Sequence, residues 1–141
     1  DKRPLIVVLS KYDAWASLVG GAALKRDWII TELSNDLHVL NVRQLQAISQ
    51  KFRNLLTQLA PEIVSTSEAF SEDVIYIPVS ALGCSPREVP GSEPVGDPPR
   101  FPLGVLPSEI SPIWSEIPLL YAMHKTIPGM IGGALPGRGD N

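Results

Sequence analysis

The chain has 141 residues, 44% hydrophobic and 19% charged, enough to bury the core of one domain and too few for two. Its net charge of -3 provides no basic field for a nucleic-acid backbone or an anionic bilayer. A single cysteine, Cys84, excludes an internal disulfide, and the distant His38 and His124 do not complete a metal site around it.

The first residues, Asp1-Lys2-Arg3-Pro4, lead into an apolar segment with no signal-peptide layout, and no apolar run approaches the ~18 to 20 residues of a membrane span. A reducing, cytoplasmic setting is expected. The chain lacks an initiator Met and starts abruptly, which reads as a piece of something longer.

Leu5 to Leu9 is continuously apolar and rich in Ile and Val, the pattern of an interior parallel strand covered on both faces. Asp13 then reads as the cap of a short helix through Trp15 and Leu18, closed by Gly20-Gly21. Residues 22 to 40 leave two options: Lys25 to Leu33 as helix, or Trp28 to Thr31 as an extended segment.

Asn41 to Leu59 carries the clearest helical signal. Val42, Leu45, Ile48, Phe52, Leu55, Leu56 and Leu59 recur every three or four residues as one stripe, with Asn41 and Gln44 placed as a variant capping box. Pro61 suits the first turn of a new helix running to about Phe70. Val74 to Val79, "VIYIPV", is a second apolar strand, placed at an edge by Pro78, which has no N–H to donate. Two such strands separated by helices predict a βαβ unit.

Residues 84 to 112 hold eight of the fourteen prolines and read as a long extended loop. Ser111-Pro112 is placed to start a last helix with Ile113, Trp114, Ile117, Leu120 and Tyr121 on its buried face and a bend at Pro118. The glycine-rich end from residue 127 reads as disordered. Cys84, the three tryptophans, Pro99-Arg100-Phe101-Pro102 and Arg138-Gly139-Asp140 read better as packing or surface residues than as a reactive thiol, stacking platforms or peptide ligands.

Both apolar strands end in small polar groups, Ser10-Lys11-Tyr12-Asp13 and Ser80-Ala81-Leu82, and ligands of open α/β sheets sit at such carboxyl ends. A carboxylate there can accept two parallel N–H bonds, which guanine offers in its ring N–H and exocyclic amino group and adenine does not. Asp13 is the candidate acceptor. The methylenes of Lys11 can lie along a purine face, Ser80 can hold Asp13, and the Ala81 amide can reach the guanine carbonyl oxygen.

"LIVVLSKYD" resembles the base-recognition motif of P-loop GTPases, N/T-K-x-D after a strand, and "YIPVSALG" resembles their SAK/SAL loop. The resemblance implies an incomplete α/β unit, part of a three-layer, mostly parallel sheet with flanking helices as in P-loop NTPases of the translation-factor and Ras-like superfamily. It assigns residues 1–83 to the C-terminal half of such a domain, with a helical insert at about 22–70, then a Pro-rich loop at 84–111, a helix at 112–126 and a tail at 127–141. Ser10, Lys11, Asp13, Ser80, Ala81 and Leu82 become the nucleotide-contacting positions for GTP or GDP.

Ser10 stands where the family has Asn or Thr, and Leu82 where Lys is commoner. No GxxxxGK followed by Ser or Thr, and no DxxG, occurs in the chain. The phosphate cradle, the magnesium ligands and the switches are therefore expected upstream, in a larger bacterial GTPase-like parent that hydrolyses GTP while this chain alone does not. The alternative is a non-catalytic GTPase-like scaffold whose Pro-rich loop and Trp114 helix dock a protein partner. If central strands lie upstream, the 5 to 9 strand has an open hydrogen-bonding edge.

Overall fold

The computed structural model describes residues 3–20, 24–34, 37–89, 91–129 and 131. The Val- and Ile-rich run forms strand β1 (Leu5–Leu9), followed by one helical turn, α1 (Tyr12–Trp15), and a 3-10 turn over 16–19. Gly20 ends this turn in the left-handed region (φ 83°), its N–H donating to the Ala16 and Ser17 carbonyls. The glycine stop is as expected; the cap is not. Lys11 occupies the capping position without a side-chain bond, and Asp13 lies inside the first turn with its carboxylate directed elsewhere.

The segment that was open between helix and strand is a hairpin. β2 (Ile30–Ser34) pairs antiparallel with β3 (Leu37–Leu40), with a register irregularity between Glu32 and Ser34. A 3-10 turn over 26–28 precedes it, and Ile29, Ile30, Val39 and Leu40 are buried. The expected helical insert over about 22–70 is thus corrected: it opens with strands because β-branched Ile29, Ile30, Thr31 and Val39 favour a pleated, half-buried surface.

Two helices follow, α2 (Val42–Leu59) and α3 (Pro61–Phe70). Asn41 Oδ1 accepts from the Gln44 N–H at 3.0 Å, satisfying an amide that has no partner within the helix. Leu45, Ile48 and Phe52 are buried as the periodicity requires, whereas Leu59 is 62% exposed, so the stripe ends a turn early. Pro61 occupies the first turn of α3, where its missing N–H costs no helix bond. Arg53 holds Glu68 with two bonds of 2.5 and 2.8 Å between the helices.

β4 (Val74–Pro78) returns beside β1, parallel, in the register Leu5↔Val74 to Leu9↔Pro78, so both strands end at one level. The Val79 N–H donates to the Leu9 carbonyl, and the Tyr76 N–H donates away from β1 to Ser49 Oγ at 2.8 Å. By alternation, Pro78 faces away from β1 as well, where its missing donor disrupts no ladder bond. Ser49, on α2, therefore completes the outer edge of β4. No described strand pairs with the other edge of β1.

The Pro-rich segment is more ordered than its composition suggests. β5 (Arg87–Glu88) pairs antiparallel with β6 (Leu103–Gly104), and Val95 and Arg100 exchange backbone bonds of 2.8 and 2.9 Å. The segment expected as a long extended loop thus carries short local pairings. The final helix, α4 (Ile117–Thr126), starts five residues later than expected, with Pro118 in its first turn rather than bending its middle. Residues 111–113 form an antiparallel connection to the end of β4: Ser111 N–H donates to the Leu82 carbonyl (2.8 Å), and Ile113 pairs with Ser80.

Trp114 precedes α4 with φ 52°, is 2% exposed, and donates from Nε1 to the Lys25 carbonyl at 3.3 Å. It is a core residue, as its expected place on a buried face requires, although it precedes the helix; only the alternative reading, in which the Trp114 helix docks a partner, loses this side chain. The disordered end expected over 127–141 concerns mostly residue 130 and residues 132–141, which lie outside the described residues.

The fold is therefore mixed α/β. Among the described residues it contains one parallel pair and two antiparallel pairs and no complete three-layer sheet, where an incomplete part of such a sheet, mostly parallel, was expected. Ile75, Tyr76 and Ile77 of β4 are all buried, so both faces of that strand are covered, and they share one core with Tyr12, Leu45, Phe52, Trp114, Ile117 and Tyr121. Lys125 ties α4 to the base of β4 by an ion pair with Asp73 of 2.7 Å. Among the described residues no helix is long and apolar enough to cross a membrane.

Replacing Ser49 tests the edge contact. Ser49→Ala leaves the buried Tyr76 amide without its acceptor. A loss of about 1 to 3 kcal/mol in urea unfolding is expected. The exposed Ser65→Ala should change stability by no more than ~0.5 kcal/mol.

Candidate functional site at the ends of the parallel strands

The site begins with a backbone reversal. Lys11 adopts the left-handed region (φ 56°, ψ 41°), unusual for a residue with a side chain, and turns the chain from β1 straight into α1. Tyr12 anchors the turn, its N–H donating to the Val79 carbonyl at 3.0 Å and its ring buried. Tyr12, Trp15 and Phe52 meet edge to face with centroids 5.1 to 6.0 Å apart, and Trp15 Nε1 donates to the Ser10 carbonyl at 2.9 Å. The turn is thus fixed from both sides. Asp13 projects from it toward the end of β4.

There the Ser80 hydroxyl donates to Asp13 Oδ1. Ser80 is 2% exposed and held on every side. Its N–H and carbonyl pair with Ile113 at 2.9 and 2.8 Å, and its Oγ accepts from the Gly83 N–H at 2.9 Å. Ser115 Oγ adds a bond to the Ser80 carbonyl at 3.2 Å. Gly83 sits at φ +72°, and a Cβ there would lie 1.7 Å from the Ser111 carbonyl oxygen. Only glycine lets the loop after β4 close against residue 111.

A second hydroxyl reaches the same carboxylate. Ser85 Oγ donates to Asp13 Oδ2 at 2.8 Å. The Ser80 bond holds the Asp13 carboxyl below the ordinary value of 3.8, helped by Ser85 and the Lys11 charge and opposed by partial burial.

Asp13 borders a cavity of about 480 Å³ whose walls include Lys11, Ser80, Ala81, Leu82 and Ser85. That volume lies in the range of small-ligand sites, roughly 300 to 1,000 Å³. Ser10 also lines it, so all six sequence-selected residues, Ser10, Lys11, Asp13, Ser80, Ala81 and Leu82, come together at one hollow. A different hollow of about 300 Å³ beside β1, lined by Val8, Leu18, Leu55 and Leu59, is almost wholly apolar and has no titratable wall. Of these two hollows, only the one at Asp13 has ionisable groups in its wall.

Sequence reasoning missed Ser85, Tyr12, and the clamp made by Ser111 and Ile113. Nothing in the local pattern marks Ser85, because its partner lies 72 positions away. Tyr12 carried a signal, an aromatic enclosed between the lysine and the aspartate, that points to an anchor. Cys84 lines the cavity only partly buried, His38 is exposed, and His124 Nδ1 lies 3.2 Å from the Ile131 carbonyl. No group of three or more metal-ligating side chains occurs among the described residues.

The chain matches no family model, no curated protein and no solved structure.

The lowered pKa of Asp13 affects stability with a defined sign. Its stabilising contribution is present above the unfolded value and is lost as pH falls through the still lower folded value. Ser80→Ala removes the main cause of the depression and strands the Gly83 amide, with an expected loss of about 1 to 3 kcal/mol at neutral pH. Urea unfolding of wild type and variant should show that deficit narrowing as pH falls below 3.8. A deficit that is constant with pH would place the whole effect in the Gly83 bond.

Proposed function

We propose that this chain is the guanine-recognition part of a GTPase-like protein, with Asp13 accepting the ring and exocyclic N–H groups of the base. The observation that carries this reading is the Asp13 carboxylate, oriented by buried Ser80 at the rim of a ligand-sized cavity where two parallel strands end. A carboxylate offers about four acceptor positions, and the two serines use one on each oxygen. The donor pair of the base would take a remaining position on Oδ1 and share Oδ2 with Ser85. Lys11 supplies an apolar stem on the wall, and Ala81 lies beside Ser80 for the carbonyl edge of the base.

Adenine provides no such donor pair. Against it the carboxylate loses water without compensation, which is the basis of discrimination at sites built on buried or partly buried polar groups.

The same fit test fails for magnesium. No cluster of metal-ligating side chains occurs among the described residues, so they form no site for the ion. Phosphate contacts and catalysis belong, on this reading, to other segments of the parent protein, and GTP or GDP would meet this chain through its base.

A second reading draws on the exposed apolar side chains of the Pro-rich segment. Val95 and Leu103 are 62% and 66% exposed, and Phe101 lies between them in sequence. They support a non-catalytic scaffold with a protein partner on that segment. Buried Trp114 takes no part in it.

Titration of the chain with GMP and AMP, followed by amide NMR shifts, separates the readings. GMP should bind about tenfold or more tighter than AMP, since bonds to a charged acceptor contribute roughly 1.5 to 3 kcal/mol each. Asp13→Ala should abolish the preference, and Asp13→Asn should move it toward xanthine nucleotides, because an amide can donate to the additional carbonyl. Equal binding of GMP and AMP by the wild-type chain would refute the guanine assignment.

A further inference from the structure

The two serines on Asp13 are not equivalent. Ser80 is buried, and its hydroxyl is engaged twice, donating to Oδ1 and accepting from Gly83. Its backbone is paired with Ile113 in both directions. Moving it means breaking a connected set of bonds at the base of the loop. Ser85 lies in an exposed position just before β5, and its hydroxyl donates a bond of 2.8 Å to Oδ2. Releasing that bond exposes a hydroxyl to water, where it regains hydrogen bonds at small net cost.

We infer that Ser85 is a displaceable donor which occupies the outer oxygen of Asp13 and sets the affinity of the site by competing with the ligand's N–H groups. This rests on the guanine reading and names a regulating residue within it. Oδ1, with its buried partner, is the fixed side of the carboxylate. Oδ2 is the exchangeable side.

The consequence is opposite for the two serines. Removing Ser80 frees the carboxylate to rotate and weakens ligand binding. Removing Ser85 eliminates a competitor and strengthens it. The exposed position of Ser85 means that its replacement does not disturb the core. A residue with a merely structural role would weaken binding when truncated, so the sign of the effect is diagnostic. Ser85→Thr keeps the hydroxyl and restores the competition.

The test measures apparent dissociation constants for GMP and AMP by NMR titration of the wild-type chain, Ser85→Ala, Ser85→Thr and Ser80→Ala. The expected result is GMP binding tightened about two- to tenfold in Ser85→Ala, the span that one ordinary hydrogen bond is worth. Ser85→Thr should remain near wild type, and AMP should be unaffected throughout. Weaker or unchanged GMP binding in Ser85→Ala, with the GMP preference intact in the wild-type chain, overturns the role given to Ser85 and leaves guanine recognition standing. Absence of any GMP preference in the wild-type chain overturns both.

Discussion

One hydrogen bond, from the Ser80 hydroxyl to Asp13 Oδ1, joins the ends of two neighbouring parallel strands whose residues are 67 positions apart. It requires that β1 and β4 terminate at one level, that the chain reverse at Lys11, and that the loop after β4 turn back at once. Each requirement is met by a specific device. The register from Leu5↔Val74 to Leu9↔Pro78 sets the level, the left-handed backbone at Lys11 makes the reversal, and Gly83 makes the return possible. The helices between the strands hold this frame together through α2, whose Leu45, Ile48 and Phe52 lie in the same core as β4.

The polar site is supported by apolar contacts on one side and backbone pairing on the other. Tyr12, Trp15 and Phe52 form an aromatic wedge under the turn that carries Asp13. Behind Ser80, residues 111–113 act as a short strand in place of the helix start that Ser111-Pro112 suggested. This is why Trp114 is buried: the chain must cross the end of β4 before α4 can begin, and its indole fills the space beside the Lys25 carbonyl. The arrangement pairs one carboxylate oxygen with a buried hydroxyl and the other with an exposed one, an asymmetry that gives a recognition group both a fixed orientation and an accessible face.

Much of this was legible from residues alone. Leu5 to Leu9 and Val74 to Val79 read as parallel strands and are, though only β4 is covered on both faces, since β1 has no fully buried residue and Val8 is 47% exposed; the 3.6-residue stripe from Val42 located α2, and Asn41 and Pro61 marked helix starts for stated physical reasons. The pairing of Ser80 with Asp13 followed from both lying just beyond strand ends. What escaped was set by tertiary context. The 30–40 hairpin has too few residues for its periodicity to separate strand from helix, and residues 111–114 carry a helix-start signal overridden by the pairing of Ile113 with Ser80. β5 and β6 are two residues each, below any pattern, and Ser85 is defined only by the fold that brings it to Asp13.

The account stands on Asp13 gripping a ring N–H, and the most direct measurement watches that proton. In isotope-labelled GMP bound to the chain, the guanine imino resonance should move downfield and exchange slowly with water, because a charged acceptor holds it. The same resonance should show neither change with Asp13→Ala. If GMP binds and its imino proton keeps the shift and exchange rate of the free nucleotide, the base is held by something other than this carboxylate, and the central claim is wrong.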